Sequence, residues 1–503
     1  MQKKIIYSLL LMLPASVIYG GCLNHCTPEN ADEVICPSNV VHPKTFFSPR
    51  QITYDSTFEL ALTNYDIYHP LDCDNQCAYG VNLYATPFYE QSRKSCAFAG
   101  YFLPNGKCAV NVRQDGTGDI NPLWLGLSGQ AGVPFSSIFA INPQRKTAGV
   151  VLTARIDLGG WSDCLRGAWL GINTAVVHVK HNLNVCEEPA SQLTCVGSSN
   201  LCTVLDNPTL TAGRISCTSL KKTGLDDIQL KLGYDWFYCG CDNGHITPYL
   251  VAGIPTGKRP KSEFLFEPLV GSKHGSFGAG LNADAQIWEC GNRSITWMVD
   301  VKYRYAFKAK ERRSYDLCQN LDWSRYLMLV NSTATLTPLL GINALTTDVN
   351  VTPRSEINFW TAFHYENCQW GFEFGYNLWW RQREKVRLTE LPAITNVGIF
   401  DLSGAAILNA VSASNATIAQ GIGGLNPIVS NATFVPLTLT DLNLHSAEHP
   451  RAITHKVYAA ADIRSCWCSY PVLLGVGGSY EFARPRANAF EQWAVFGKLG
   501  ITF

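Results

Sequence analysis

Charged residues are scarce in this sequence. Only 16% of its 503 residues are Asp, Glu, Lys or Arg, where a soluble protein usually carries about a quarter. The 40 basic and 40 acidic side chains cancel, so there is no basic excess to hold a nucleic acid backbone. Long apolar runs are missing too. Beyond Gly21 no stretch reaches the roughly 18 apolar residues of a spanning helix, which excludes a helical membrane protein. Catalytic signatures are incomplete. Gly253-Ile-Pro-Thr-Gly257-Lys258 is one residue short of a phosphate loop and has no Ser or Thr after the lysine. Gly126-Leu-Ser128-Gly129 lacks the second glycine of a nucleophile elbow at the proper place. No histidine stands in an H-E-x-x-H frame. The chain reads as a non-enzyme with no metal and no cofactor.

What is present starts at the N-terminus. Residues 1–21 read as a cleaved export signal: Lys3 and Lys4 lead, a short apolar run follows from Ile5 to Val17, and Gly20-Gly21 forms a small-residue exit. Lipidation at Cys22 is the rival reading of the same stretch. Nineteen cysteines follow in a chain read as exported, and an oxidising compartment favours disulfides. The odd count leaves at least one thiol free, acylated or intermolecular. Aromatic residues reach 11%. Low charge, many rings and no apolar helix fit a transmembrane β-barrel with aromatic girdles.

Period-two alternation carries the argument further. Ile295, Trp297, Val299, Val301, Tyr303, Tyr305 and Phe307 share one face, while Asp300, Lys302, Arg304 and Lys308 share the other. Residues 228–238 and 370–380 repeat the pattern. Fourteen strands are expected, at about 56–66, 80–91, 96–103, 147–158, 167–181, 227–238, 245–254, 276–287, 294–307, 356–366, 369–381, 452–464, 470–482 and 489–503. The alternating segments 228–238, 295–307 and 370–380 have the length of roughly 9–11 residues or more that a tilted transmembrane strand needs. Pairing Trp323–Val330 with Thr333–Leu340, or adding Val397–Leu408, would raise the count to sixteen or eighteen. The predicted fold is thus an all-β antiparallel barrel over 56–503, preceded by a cysteine-containing periplasmic segment or plug at 22–55.

This topology places short turns on the periplasmic side and long loops outside, as outer-membrane barrels do. The inward faces supply candidate pore-lining residues: Arg155, Asp157, Lys231, Asp235, Asp300, Lys302, Arg304, Glu373, Arg381, Lys456 and Arg464. A polar lumen with both signs of charge can set ion preference. The predicted periplasmic rim carries Cys96, Cys164, Cys239, Cys241, Cys290, Cys368, Cys466 and Cys468, with Cys22, Cys26 and Cys36 on the same side.

The last strand completes the pattern. Trp493, Val495, Leu499, Ile501 and the terminal Phe503 lie on one face. Such an ending resembles the C-terminal strand of bacterial outer-membrane barrels, and the resemblance implies that Trp493, Leu499, Ile501 and Phe503 form the insertion signal read by the barrel assembly machinery. Signal peptide, alternating strands, terminal Phe and many cysteines together resemble the cysteine-rich porins of the chlamydial major outer membrane protein type. That resemblance implies a disulfide-linked barrel that supports the envelope and passes small polar solutes. Partners implied are outer-membrane lipid, other cysteine-rich envelope proteins and further copies, as in porin trimers. Two alternatives stand beside it. A fourteen-strand count is similar to the fatty-acid transport barrels, where an N-terminal segment plugs the lumen and hydrophobic small molecules are carried. The long loops also fit a surface adhesin displayed on a barrel.

Overall fold

A computed structural model describes residues 43–63, 80–93, 96–129, 133–159, 161–189, 200–236, 244–333, 338–389, 392, 394–403, 411–467, 470–483 and 488–503. Twelve strands close into one antiparallel barrel. They are β1 (Val81–Ser92), β2 (Gln144–Asp157), β3 (Ala168–Asn182), β4 (Ile228–Tyr234), β5 (Gly244–Ile254), β6 (Ser276–Cys290), β7 (Arg293–Ala306), β8 (Arg354–Asn367), β9 (Trp370–Arg381), β10 (Ala452–Trp467), β11 (Tyr470–Phe482) and β12 (Gln492–Thr502). Each pairs with its neighbours in sequence, and β12 returns to β1 with Ser92 opposite Gln492 and Asn82 opposite Thr502. Closure leaves the barrel no unpaired edge, the condition for a sheet in lipid.

The expected alternation is realised around the barrel, interrupted in β6 by a register shift between Gln286 and Trp288. Leu83, Leu152, Val176, Leu232, Leu250, Phe277, Val301, Phe363, Phe374, Ile453, Leu474 and Val495, one from each strand, stand exposed on the outer face. Rings gather at both ends of this belt: Trp288, Trp370, Tyr470 and Phe503 at one, Tyr305, Phe307, Phe482 and Trp493 at the other. A soluble surface does not sustain an apolar band of that extent. Hydrocarbon bounded by two interfaces does.

Inside, small residues accept rings from the next strand. Register places Trp169 opposite Gly233, Tyr249 opposite Gly280, Tyr458 opposite Gly375, Phe496 opposite Gly477 and Tyr84 opposite Gly500. In each pair a Cβ on the glycine would overlap the ring. The ring covers the glycine's bare backbone and fixes the register of that strand pair. Gly280→Val should therefore cost about 1–3 kcal/mol or more through overpacking. Folded barrel on semi-native gels would fall, and adding Tyr249→Ala should recover part of it. An unchanged folded fraction in the single variant would dismiss this account.

Two of the fourteen expected strands are not strands. Residues 56–66 were expected to cross the membrane, but Ser56–Leu60 form a short helix, α1, inside the barrel. Asp55 caps it by accepting from Thr57 N at 2.9 Å. Period-two alternation misleads here because α1 is enclosed on all sides, so both its apolar and polar residues are buried. At 96–103, Cys96–Ala99 is a helical turn whose following residues Phe102 and Leu103 are fully buried among loops. Met328–Asn331, Leu339–Leu340 and Val397–Ile399, near the proposed extra strands, form a separate three-stranded sheet outside the barrel.

Connections sort into two ends. The turn end has the short links 158–167, 235–243, 291–292, 368–369 and 468–469, and both Val81 and Thr502 lie there. The loop end carries 93–143, 183–227, 255–275, 307–353, 382–451 and 483–491. These loops fold into a cap with its own apolar interior, including Phe102, Trp124, Phe139, Leu201, Phe266, Tyr315, Trp323, Leu329 and Val397. Cys202–Cys217 is a disulfide within the cap, and Cys108 and Cys318 are also disulfide-bonded. Because β1 begins at the turn end and finishes at the loop end, Cys96 follows it at the loop end. It therefore sits apart from the rim to which the sequence assigned it.

Candidate functional site: the occupied lumen

Residues 43–63 run down the barrel axis from the cap to the turn end. Lys44 N donates to Tyr101 O at 2.7 Å and Thr45 Oγ1 to Ser314 O at 2.6 Å, which ties the upper end to the cap. Further down, Arg381 Nη2 donates to Ser48 O at 3.0 Å, Arg50 Nη1 to Asn377 Oδ1 at 2.8 Å and Asn358 Nδ2 to Tyr54 O at 2.8 Å. Near the bottom, Leu62 N donates to both Glu373 oxygens at 3.0 Å. The irregular backbone of this segment thus finds its partners on side chains of the wall, as buried backbone must.

Apolar packing and charge act together. Ile52, Phe58, Leu60, Ala61 and Leu62 pack against inward residues such as Phe88, Val151, Met298, Trp360 and Phe496. Phe58 stacks on Phe88 with centroids 4.8 Å apart. This explains Ala494 and Phe496, which break the polar inner face of β12: both are buried there. Glu59 pairs with Lys231 and, at 3.2 Å, with Lys302. Lys498 Nζ donates to Glu59 O and Ala61 O, each at 2.7 Å, and so closes the C-terminal end of α1. Asp55 pairs with Lys456, which also meets Glu481 at 3.3 Å. Asp55, Glu90 and Glu481 come together closely enough to suggest a metal site, but Lys456 and Arg50 already provide their cations. A cavity of about 60 Å³ separates Glu59, Leu60 and Thr63 from Arg155, Trp169 and Tyr249, room for a couple of waters at roughly 30 Å³ each.

The eleven residues expected to line a pore take three kinds of position. Lys231, Lys302, Arg304, Glu373, Arg381 and Lys456 touch the axial segment; Arg304 lies 3.2 Å over the Tyr54 ring. Arg155 and Asp235 pair with each other at 2.6 Å, Asp300 accepts from Tyr249 at 2.8 Å, and Arg464 pairs with Glu366 at 2.7 Å. Asp157 sits half-buried at the turn end of β2. Asn173, Asn358, Asn377, Glu90, Glu481 and Lys498 also matter but were not singled out. Lys498 had the right parity in β12, whereas a neutral asparagine gives no charge signal.

Of the predicted rim cysteines, Cys164, Cys290 and Cys368 are exposed free thiols at the turn end. Cys466 is the penultimate residue of β10, next to that end. Cys239, Cys241 and Cys468 lie outside the described residues, as do Cys22, Cys26 and Cys36. In the last strand Trp493, Leu499 and Phe503 are exposed on the outer face, and Ile501 shares their parity.

The cap holds the entrance with a buried ion cluster. His274 Nε2 and Glu311 Oε1 are 2.8 Å apart, Arg313 Nη2 meets Glu311 at 2.6 Å, and the Arg313 guanidinium lies 3.2 Å over the Phe46 ring. Burial pushes the Glu311 carboxyl up, but Arg313 and His274 outweigh it and hold the group at about 2. Burial lowers His274, and its bond to Glu311 more than reverses this, leaving it raised. The depressed Glu311 stabilises the cap above its ordinary value near 4.5, and that contribution fades as pH falls toward 2. The raised His274 stabilises below its ordinary 6.5, and that contribution is lost as pH climbs past the raised value. Resistance of the cap to limited proteolysis should therefore be greatest between these limits. Glu311→Gln should flatten the acid limb, and an unaltered acid limb would refute the assignment.

No family model matches the chain, and no curated protein matches it. Among solved structures, it is similar to an outer membrane channel from Pseudomonas putida F1, with 9% identity and a TM-score of 0.36 over 85% of this chain and 96% of that one. The translocator domain of the autotransporter NalP from Neisseria meningitidis gives 8% identity and a TM-score of 0.27, over 85% and 90% of the two chains. For the toluene transporter TbuX from Ralstonia pickettii the values are 8% and 0.26, over 84% and 89%. At this degree of likeness no activity or solute passes from them to this chain.

Proposed function

We propose that this protein is an outer-membrane transport barrel for small molecules, kept shut by its own N-terminal segment. The observation that carries the reading is the axial segment, which fills the lumen and bonds to inward residues of most strands. This favours a plugged transporter over an open diffusion pore for polar solutes, and hydrophobic small molecules are the cargo we propose for it. The outer apolar belt supports the membrane placement. The inward charges at Arg155, Asp157, Lys231, Asp235, Asp300, Lys302, Arg304, Glu373, Arg381, Lys456 and Arg464 would border the path once the segment moves. The exposed thiols of Cys164, Cys290 and Cys368 suit disulfides to other cysteine-rich envelope proteins. The outer face of β12 suits recognition by the assembly machinery. The outer face as a whole is the surface on which copies would pack into a homotrimer.

Planar-bilayer recordings of the refolded, oxidised protein test the reading. The intact chain should show no steady ohmic steps although it is inserted. Large, constant steps from the intact chain would restore the open-porin reading. The cap's separate apolar interior supports a second reading, a surface adhesin whose loops bind a partner. Binding of the protein to host or envelope components without any solute uptake would favour it.

A further inference from the structure

We propose that the cap contains a binding site for a small organic anion, distinct from the lumen. A cavity of about 490 Å³ opens where the loops 183–227, 255–275 and 307–353 meet, within the size range of small-molecule sites. Five cations, Arg214, Arg259, Lys261, Lys310 and Arg312, line it against three carboxylates. Those carboxylates are already engaged. Glu263 pairs with Arg214, Asp348 with Lys310 at 3.2 Å, and Glu311 turns away to Arg313 and His274. Arg259, Lys261 and Arg312 are exposed and form no ion pair among the described residues.

Three cations without a carboxylate partner come from two loops to line one cavity, which gives it a positive excess that suits an anion. The backbones of Lys261 and Arg312 are held in place. Lys261 N donates to Glu267 at 3.0 Å, and Ser262 Oγ donates to Arg312 O. The two guanidinium forks suit a carboxylate or sulfonate bidentately. Leu210, Pro208 and Pro260 add apolar lining, so the cavity fits a charged head with an apolar body better than a bare inorganic ion. The site does not depend on whether the lumen opens.

Fluorine NMR of 4-fluorobenzoate with the full protein in nanodiscs tests this. The resonance should broaden with intact protein, while uncharged 4-fluorobenzyl alcohol should not respond. The Arg259→Ala/Lys261→Ala/Arg312→Ala variant should bind at least about tenfold more weakly, with its barrel intact on semi-native gels. Charge-preserving Lys261→Arg should retain binding. No broadening with intact protein, or equal broadening with the triple variant, would overturn the proposal. Displacement by inorganic phosphate at concentrations equal to the benzoate would overturn its organic part.

Discussion

Protein lacking residues 1–62 and refolded into a planar bilayer is expected to give large, steady, ohmic current steps where the intact chain is silent. Removing the axial segment takes away Phe58 and its apolar neighbours, and with them the packing that fills the barrel. It also frees the inward side chains of Lys231, Lys302, Lys456 and Glu373, which return to water in a hydrated lumen. The barrel itself should persist because its ladder runs from strand to strand around a closed circuit and does not pass through the segment. Semi-native gels would establish that the truncated protein is folded and inserted. If such protein conducts no better than the intact chain, the segment is not the barrier, and the cap becomes the candidate.

The second large effect concerns one carboxylate. Glu59 is buried between the ammonium groups of Lys231 and Lys302, all three almost fully enclosed. Glu59→Ala would strand two buried cations, and breaking a buried pair in this way costs about 3–5 kcal/mol. The axial segment should loosen. Its lower end should become sensitive to protease, and brief openings should appear in bilayer recordings. Replacing the whole group, with Glu59→Leu, Lys231→Met, Lys302→Met and, for the buried carboxylate that faces both lysines, Asp300→Asn together, should cost far less, because no charge is left unpaired. A silent Glu59→Ala protein with an unchanged urea midpoint would remove Glu59 from this role.

Twelve of the fourteen expected strands coincide with observed ones, most within two or three residues at each end. Alternation is a local property, and lipid outside with polar groups inside imposes it on every crossing. The two failures share a cause. At 56–63 and 98–103 the chain is largely enclosed by protein, so burial no longer distinguishes one face from the other. The axial segment itself was anticipated as a plug at 22–55, whereas the described part that occupies the lumen runs from 43 to 63 and includes α1.

Residue types also mark the limit of what could be read. Lys231 and Lys302 were legible as inward charges because each alternates with apolar outward neighbours. Their shared partner Glu59 was not, since it lies in a segment mistaken for a strand. Lys456 and Asp55 are 401 positions apart in the chain, and no periodicity links positions so distant.

The sequence by itself determined a low-charge chain whose period-two segments demand a closed barrel with an apolar outside, because each strand must satisfy the same two solvents. Only the tertiary structure decided what fills that barrel. The occupant is chosen by buried charges and rings that meet across hundreds of residues, and their pairing energy exists only once the wall has closed around them.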